Sequence, residues 1–378
     1  MEKILLQCPR CKNRDPTYFY YGSRGWYCRK CVGFSRFLPP ENTDNVREVL
    51  LPDSQYLLPF ALSEKQRRIA AQIKANYEKN NILVYAACGT GKTELMLDFI
   101  TNALSKGYKV GWAIPRRAVV LQLAERLSQY FFKMKVIPVC QDHTDDIYGD
   151  LIICTTHQLF RYYQFFDYLI IDEPDAYPFK DNEVLINIAF GSVRSHVIFL
   201  TATPYKKLLA RCDTVCELFE RPHGQLLDIP RIIHILPFLN FLTLFYLLRR
   251  QKGKLLVFIP SIKEALTLQA IFAFFFDCKV ITSLSQDKEE IVTDFIRQET
   301  GILFSTTVLE RGVTIPAIDV IVYKADSDIF DLAALIQMAG RVGRTTENPH
   351  GKIFFLSNHN SAKLKKCIKL LDTMNQNA

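Results

Sequence analysis

From Ser63 onward, the chain alternates short apolar runs with segments whose apolar residues recur at helical spacing. The segment 95–104 is one such predicted helix, and Lys106-Gly107 is expected to end it. Strands that alternate with helices form a parallel sheet covered on both faces. The strands predicted for this first series are 82–85, 108–114, 151–154, 168–171 and 196–200.

A second alternating series begins after the segment 221–224. The two series together predict an α/β fold with two lobes, at residues 63–225 and 226–378. The last helix, from Ser361 onward, is expected to expose a lysine-rich face. The strands predicted for the second series are 254–259, 279–281, 301–305, 320–323 and 352–356.

The most apolar stretch covers residues 232–248 and is interrupted by His234, Pro237 and Asn240. A membrane-spanning helix needs about 20 mostly apolar residues, so this stretch predicts a buried strand followed by a core helix. The first ten residues contain only three consecutive apolar side chains, too few for a secretion signal. We therefore expect a cytoplasmic protein.

The composition is that of an ordinary globular protein, with 49% hydrophobic and 23% charged residues among 378. It excludes the disordered, collagen-like and coiled-coil classes. The net charge is +8, and residues 1–37 contain eight basic residues against Glu2 and Asp15. Most of the net positive charge therefore belongs to a tenth of the chain.

Four of the eleven cysteines form two C-x2-C pairs, which are Cys8 with Cys11 and Cys28 with Cys31. The spacing between the pairs is typical of a structural zinc site. Four thiolates fill the tetrahedral shell of Zn2+ and leave no position for a reacting water. We predict a zinc module at residues 1–37, followed by a linker at residues 38–62.

Aromatic residues are interleaved with the basic residues around these cysteines. Basic grooves with aromatic platforms hold single-stranded nucleic acid without reading its sequence. Alternatively, a module this small uses its aromatic side chains to build a core. The aromatic residues concerned are Tyr18, Phe19, Tyr20, Tyr21, Trp26, Tyr27, Phe34 and Phe37.

The segment 86–93, AACGTGKT, follows the first predicted strand and matches a phosphate-binding loop, except that Ala86 replaces the first glycine. The glycines let backbone N–H groups approach phosphates, and Lys92 reaches the β and γ oxygens. Thr93 is expected to hold Mg2+. The predicted nucleotide-binding residues of this loop are Gly89, Thr90, Gly91, Lys92 and Thr93.

The segment 170–175, with the sequence IIDEPD, continues a predicted buried strand. Beside a phosphate loop, Asp172 is expected to bind Mg2+ through water and Glu173 to orient the attacking water. Taken alone, two carboxylates here would also fit a solvated strand end.

The segment 337–344, with the sequence QMAGRVGR, belongs to the second lobe. Arginines supplied from another lobe can stabilise the charge of a transferring phosphoryl group. Arg341 and Arg344 are predicted to be such arginine fingers, and Gln337 to contact phosphate or water. Ordinary salt bridges are the alternative for the arginines.

With these segments in this order, residues 60–356 resemble the helicases and translocases of superfamily 2. The resemblance implies two tandem RecA-like lobes and a nucleic-acid-stimulated ATPase that uses ATP and Mg2+. It also implies that Thr201 and Thr203, in the segment 201–204, couple the nucleotide state to lobe closure. The residues implied to contact nucleic acid are Arg116, Arg117, Thr155, Thr156, Thr306 and Thr307, the last two in the segment 305–316.

The four N-terminal cysteines and the segments 172–178 and 306–314 narrow the resemblance to ComFA, the family of late-competence ATPases of DNA uptake. That family implies an ATP-driven single-stranded DNA translocase, with a membrane uptake channel and ComFC as partners. A primosomal-type DNA helicase is the nearest alternative, but its zinc insertion lies between the second-lobe motifs. An RNA helicase shares the ATPase motifs, and a nucleotide-gated binding module with little turnover is an alternative of another class.

Gln66 has two interpretations. The superfamily resemblance implies that it reads adenine, with Phe60 stacking upstream. The segment Ser63-Glu-Lys-Gln66 is also a helix capping box, in which Gln66 bonds back to the backbone of Ser63.

Overall fold

The computed structural model describes residues 7–23, 25–32, 55–310 and 315–378. Part of the predicted linker, residues 38–54, lies outside the described residues. So do residues 1–6, Arg24 and 33–37 of the predicted zinc module, and 311–314 within the segment 305–316.

The chain divides into two compact units. The first unit combines Met1–Tyr85 with Lys92–Glu217, and the second combines Ala86–Gly91 with Leu218–Ala378. The phosphate loop is therefore divided, because Lys92 groups with the first unit and the preceding loop residues group with the second.

The first unit begins with an antiparallel hairpin of β1 (Phe19–Gly22) and β2 (Gly25–Cys28). Its turn includes Gly25 at φ +97°, a conformation that glycine adopts without a Cβ penalty. The hairpin brings Cys28, which ends β2, toward the first cysteine pair, and the Sγ atoms of Cys28 and Cys11 are 3.8 Å apart.

The main sheet of the first unit has seven strands. They are β3 (Ile82–Ala86), β4 (Val110–Ile114), β5 (Val136–Val139), β6 (Leu151–Thr155), β7 (Phe166–Asp172), β8 (Val193–Thr201) and β9 (Thr214–Leu218). Their spatial order is β5-β6-β4-β7-β8-β3-β9. The neighbouring pairs from β5 to β3 are parallel, so the strands that precede the predicted motifs all end at one edge.

Helices cover this sheet. They are α1 (Glu64–Asn76), α2 (Lys92–Leu95), α3 (Leu97–Ser105), α4 (Arg117–Tyr130), α5 (Glu183–Gly191) and α6 (Lys206–Leu209). The single helix predicted over 95–104 is therefore two helices that meet at Met96, which is fully buried. Its predicted end is right, because Gly107 has φ +80° and its N–H donates to Leu104 O.

The sheet of the second unit has six strands. They are β10 (Arg231–His234), β11 (Lys254–Phe258), β12 (Cys278–Ile281), β13 (Gly301–Ser305), β14 (Ile318–Val322) and β15 (Ile353–Ser357). Their order is β10-β15-β14-β11-β13-β12, and every neighbouring pair is parallel. The helices are α7 (Asn240–Arg249), α8 (Ile262–Phe272), α9 (Lys288–Arg297), α10 (Leu332–Ala339) and α11 (Ala362–Gln376). The prediction of two lobes with parallel sheets is confirmed.

The strands that sequence patterning missed or misread lie at sheet edges. β5 and β9, which we did not predict, are the outer strands of the first sheet. β10 was predicted as a buried strand, but it is the edge strand of the second sheet and its residues are half-buried or exposed. An edge strand has a neighbour on one side only, so its apolar pattern is weak.

The helix after β10 is also less buried than predicted. Leu244 and Leu248 of α7 face the core, whereas Leu242 and Tyr246 are exposed. Within the residues that the structure describes, we find no helix long and apolar enough to cross a membrane.

The four-cysteine module packs on the first unit. Its cysteines belong to the same buried cluster as apolar residues of β6, of β7 and of the segments that follow these strands. Asn187 of α5 donates from Nδ2 to Cys11 O at 2.9 Å, and the Arg10 guanidinium lies 4.8 Å from the centre of the Phe160 ring. Phe160 belongs to the 3-10 turn Thr156–Arg161 that directly follows β6. The first cysteine pair therefore rests on that turn and on α5.

Candidate nucleotide, metal and nucleic-acid sites

The phosphate loop begins where β3 ends and contains two residues with positive φ. Gly89 has φ +82° and Gly91 has φ +78°, conformations that strain any residue with a Cβ. Thr90 is fully buried, and its Oγ1 donates to Ala87 O at 3.0 Å. The two glycines and this bond fix the path of the loop, while the Thr90 side chain points inward.

The other predicted ATPase groups of the first unit lie at the same sheet edge. Lys92 and Thr93 are the first residues of α2, Asp172 is the last residue of β7, and Thr201 is the last residue of β8. Because β3 and β7 both pair in parallel with β8, these groups are neighbours. Ligands of open α/β sheets bind at this carboxyl-terminal edge.

Asp172 is buried in a setting that disfavours its charge. Burial, followed by the neighbouring Glu173 carboxylate, raises the pKa of Asp172 to about 7, and Lys92 opposes this shift. Asp172 Oδ1 is inaccessible to solvent and has no hydrogen-bond partner among the described residues. A carboxylate oxygen with unused acceptor capacity suits Mg2+, which binds through one or two carboxylates and keeps several waters. The residues present therefore fit a magnesium ion beside the phosphate loop.

Glu173 adopts a backbone conformation that is rare for its residue type, with φ +56°. Its N–H donates to Leu200 O on β8 at 2.9 Å, which ties the turn to the sheet. Non-glycine residues persist in this region only where the surrounding structure holds them, and such residues cluster at functional sites.

Asp175 links this turn to the end of β8. It is buried and accepts hydrogen bonds from Thr201 Oγ1 at 2.5 Å and from Thr203 Oγ1 at 2.7 Å. Thr203 N–H also donates to Thr201 Oγ1 at 2.9 Å. Our sequence analysis did not single out Asp175, although its position three residues after Asp172 was a usable signal. The bonds join the two predicted ATPase segments directly.

In the second unit, Gln337 is buried against the part of the phosphate loop that groups with that unit. Its Oε1 lies 3.1 Å from Cys88 Sγ. A Cβ on Gly340 would lie 2.3 Å from Cys88 Cβ, so only glycine fits at this position. Gly340 thus has a steric role in the segment 337–344, beside the chemical roles predicted for its neighbours.

Arg221 is a buried cation that our sequence analysis missed. Its Nε donates to Cys88 O at 3.2 Å and its Nη1 to Gly343 O at 2.5 Å. Burial, followed by the nearby Arg344 guanidinium, lowers the pKa of Arg221 to about 10. Nothing in its sequence neighbourhood marked it, because both partners are backbone carbonyls distant along the chain.

The two predicted arginine fingers differ in exposure. Arg341 is buried and donates from Nε to Glu310 O at 3.2 Å. Arg344 is half-buried and donates from Nε to Gly340 O at 2.6 Å. Their role in hydrolysis stays a prediction.

The predicted nucleic-acid residues of the first unit lie at the carboxyl ends of β4 and β6, at the edge described above. Arg117 is exposed and pairs with Asp142 at 3.4 Å, and Arg116 is half-buried. Thr155 is half-buried, whereas Thr156 is fully buried, with its Oγ1 inaccessible to solvent. The structure therefore places the Thr156 hydroxyl inside the protein, and three of the four side chains at least partly on the surface.

In the second unit, Thr306 and Thr307 follow the carboxyl end of β13. Thr306 is buried and its N–H donates to Ile281 O at 3.4 Å, while Thr307 is half-buried. Residues 311–314 of the same segment lie outside the described residues.

Gln66 forms the capping box. Ser63 N–H donates to Gln66 Oε1 at 2.9 Å, and Gln66 N–H donates to Ser63 Oγ at 3.2 Å. Gln66 is buried and Phe60 is 48% exposed. The helix start therefore uses the carbonyl of this side chain, and adenine recognition stays a prediction.

The four cysteines are assembled as a metal site. Their sulfur atoms all lie within 4.8 Å of one another, and all four side chains are buried. The Sγ atoms of Cys8 and Cys31 are 3.7 Å apart, and those of Cys11 and Cys28 are 3.8 Å apart. A hydrogen bond from Cys31 lowers the pKa of Cys11 to about 5, and the same bond and burial raise the pKa of Cys31. Four sulfur ligands in a closed set fit tetrahedral Zn2+.

Comparison with known proteins identifies the family. The model of the type III restriction enzyme res subunit matches residues 59–206, and the model of the helicase conserved C-terminal domain matches residues 238–346. The chain is 33% identical to competence protein ComFA of Streptococcus pneumoniae over its whole length and 92% of that protein. It is 31% identical to ComFA of Bacillus subtilis over its whole length and 87% of that protein.

The chain belongs to the ComFA family. Its two helicase domains make it a nucleic-acid-dependent ATPase of helicase superfamily 2, a class that uses ATP and Mg2+. This confirms the resemblance inferred from the motifs, whereas the roles of individual site residues stay predictions.

Solved structures share the fold. Dbp5 of S. cerevisiae bound to RNA and ADP BeF3 has a TM-score of 0.63 and 18% identity, over 84% of this chain and 88% of that chain. RecG bound to a three-way DNA junction has a TM-score of 0.57 and 21% identity, over 85% of this chain and 46% of that chain. Both likenesses establish the two RecA-like lobes.

Proposed function

We propose that this ComFA-family chain is an ATP-driven motor that moves along single-stranded DNA and serves DNA uptake in competence. Family membership supports the place in competence. The observation that carries the motor chemistry is the edge of the first sheet, where Lys92, Asp172 and the Asp175 bonds to Thr201 and Thr203 come together.

Lys92 and the backbone N–H groups of the phosphate loop bind the phosphates of ATP. Thr93 and Asp172 hold Mg2+, which neutralises phosphate charge when it is bound. Glu173 orients the attacking water. The strained backbone of Glu173 and its bond to β8 support this role, because they fix where its carboxylate points.

Arg341 and Arg344 stabilise the charge of the transferring phosphoryl group, and Gln337 contacts phosphate or water. Gln66 reads adenine. These assignments rest on the superfamily resemblance.

The threonines at the end of β8 couple nucleotide state to lobe closure. Thr201 and Thr203 share the Asp175 carboxylate, and Asp175 lies in the same turn as Glu173. A shift of that turn on hydrolysis is therefore passed to β8 through two short hydrogen bonds.

The DNA backbone contacts the half-buried and exposed side chains at the carboxyl ends of β4, β6 and β13, with Thr156 contributing through the backbone of its turn. The module at residues 1–37 binds structural zinc and adds basic and aromatic contacts. Tyr20 and Tyr21 are exposed, and the Arg29 guanidinium lies 3.7 Å from the centre of the Tyr20 ring.

We place the linker at residues 38–62 and the lobes at 63–225 and 226–378. We place the chain in the cytoplasm, peripheral at the membrane uptake channel, and the family resemblance implies that channel and ComFC as partners.

The decisive experiment measures the ATPase rate of the full chain alone and with single-stranded DNA, duplex DNA or RNA of one length. The proposal predicts the greatest stimulation by single-stranded DNA. Equal or greater stimulation by RNA would support the RNA-helicase alternative. Equal, low turnover in all four conditions would support a nucleotide-gated binding module.

A further inference from the structure

The second unit contains a cavity of about 480 Å³ that no predicted motif uses. It lies where strands of the second sheet begin: Arg231 is the first residue of β10, Lys352 directly precedes β15, and Gln251 lies shortly before β11. Thr306 and Thr307 follow the carboxyl end of β13, so they lie at the opposite edge of this parallel sheet.

Three cationic side chains line the cavity, namely those of Arg231, Arg250 and Lys352. No carboxylate pairs with any of them within the part of the chain that the structure describes. All three are exposed, so they can move toward an anion. Guanidinium groups bind phosphate in a bidentate manner, which adds geometric selectivity.

The nearby carboxylates already accept hydrogen bonds from other groups of the second unit. Asp228, which also lines the cavity, lies 3.3 Å from His350 Nδ1 and accepts from Gly351 N–H at 3.2 Å. Asp319 accepts from Gln251 Nε2 at 3.0 Å and from Lys352 N–H at 2.7 Å. The three cationic side chains are therefore the charged groups of the cavity that can still bind a ligand.

Two aromatic residues complete the wall. Tyr246 is 51% exposed, and the Arg250 guanidinium lies 4.6 Å from the centre of its ring. Phe354 of β15 is half-buried. An aromatic face beside cationic groups is the combination that binds a base together with its phosphate. A cavity of this volume is within the range of small-ligand sites.

We propose that this cavity is a binding site for a nucleoside phosphate, distinct from the phosphate loop. Arg231, Arg250 and Lys352 bind the phosphate, and Tyr246 stacks on the base. The ligand is either a free mononucleotide or one nucleotide of a single strand. The site does not depend on the proposed translocation, because nothing in it requires ATP turnover.

The first test uses the wild-type full chain. Surface lysines are acetylated with a limiting reagent, and modification of Lys352 is followed by mass spectrometry with Lys365 of α11 as the exposed control. We expect AMP or a short oligo(dT) to slow modification of Lys352 at least several-fold and to leave Lys365 unchanged. Protection by AMP identifies a free nucleotide, and protection by oligo(dT) alone identifies a strand. No protection by either would overturn the proposal.

The second test compares Arg250→Ala with Arg249→Ala, its exposed neighbour, which does not line the cavity. Binding of AMP and of labelled oligo(dT) is measured across a salt series, with basal ATPase activity as the check on folding. Arg250→Ala should weaken binding of the ligand that protects Lys352 about tenfold, and for a strand reduce the salt slope by about one. Equal affinities for the two variants would contradict the proposal. If Arg250→Ala lost only its binding to anionic lipid vesicles, the cavity would be assigned to a lipid headgroup. That result would also overturn the proposal.

Discussion

The first unit holds two regions suited to metal ions, and they are built in opposite ways. The cysteine site draws all its ligands from two short segments within residues 8–31, and its four sulfur atoms are assembled within 4.8 Å. The Asp172 site offers one buried carboxylate oxygen without a described partner, and its other groups come from the phosphate loop, some 80 residues earlier.

The difference separates structural from catalytic metal binding. A closed shell of four thiolates leaves no position for substrate, so its ion contributes to folding. A single carboxylate beside a phosphate loop leaves most of the coordination shell to water and nucleotide, so its ion can arrive with ATP and leave after hydrolysis.

The largest effects are expected at the open site. Lys92→Ala should impair ATP binding, because it removes the cation that meets the phosphates. Glu173→Gln should bind ATP but turn over about 10²–10³-fold more slowly, since the attacking water loses its orienting group. The measurements are nucleotide affinity and steady-state ATPase rate, with the exposed Lys79→Ala as the control. Hydrolysis at the wild-type rate by Glu173→Gln would show that its carboxylate is not the orienting group.

The second prediction concerns the arginine fingers. Arg344→Ala should lower kcat with little change in DNA affinity or thermal stability, because the half-buried side chain is needed only when phosphoryl charge develops. Arg341→Ala should lower kcat as well, but its buried position predicts an additional loss of stability. If Arg344→Ala hydrolyses ATP at the wild-type rate with DNA bound, the assignment is wrong.

The third prediction concerns the closed site. The double variant Cys8→Ser, Cys11→Ser should release about one Zn2+ per chain and unfold the module, because metal binding and folding are coupled in such modules. Turnover at saturating DNA should persist, while DNA affinity falls and its salt dependence becomes shallower. Zinc content and DNA binding across a salt series measure these effects.

Cys367→Ser is a matched control, since Cys367 is buried outside the module. If the module variant loses basal ATPase activity as well, the module supports the first lobe directly. Its packing on the 3-10 turn Thr156–Arg161 gives a route for that outcome.

The fourth prediction tests the link between the two ATPase segments of the first unit. Thr203→Val removes a 2.7 Å hydrogen bond to buried Asp175 and should cost about 1–3 kcal/mol, because the carboxylate loses a donor. ATP binding should be little changed, whereas stimulation of the ATPase by DNA should fall. Thr203→Ser, which keeps the hydroxyl, should restore stimulation. A deficit of the same size in Thr203→Ser would assign the effect to packing.

The smallest effect is expected where the module meets α5. Asn187→Ala removes the bond to Cys11 O and should destabilise the chain by about 1 kcal/mol without loss of zinc. Thermal unfolding and zinc content check this, and Asn102→Ala, which removes a side-chain bond away from the module, is the comparison. Loss of zinc in Asn187→Ala would mean that the cysteine site needs the first unit to assemble.

The sequence predicted those features that local patterns determine. The central strands, the phosphate loop, the cysteine pairs and the end of α3 each depend on residues close together in the chain. The edge strands β5 and β9 were not predicted, because they are short and pack on one side only. Arg221 was not predicted as a site residue, because its partners are the carbonyls of Cys88 and Gly343, which only folding brings near it.

The role of Asp175 could be predicted from the sequence only in part. Its sequence position was visible, but its bonds to Thr201 and Thr203 depend on the register of β7 against β8. Likewise, the capping box at Gln66 follows from local spacing and the structure contains it, whereas adenine recognition depends on a ligand.

We expect ATP hydrolysis to move this chain along single-stranded DNA, and the ATPase rate across a series of oligo(dT) lengths is the direct test of that movement. ATP is saturating, and the concentration of DNA nucleotides is the same for every strand length. Under these conditions a translocating enzyme leaves short strands sooner and spends more time rebinding. We predict that the rate rises with strand length and then reaches a plateau, and that Glu173→Gln abolishes the dependence. A rate independent of length would contradict movement and leave a stationary, DNA-stimulated ATPase.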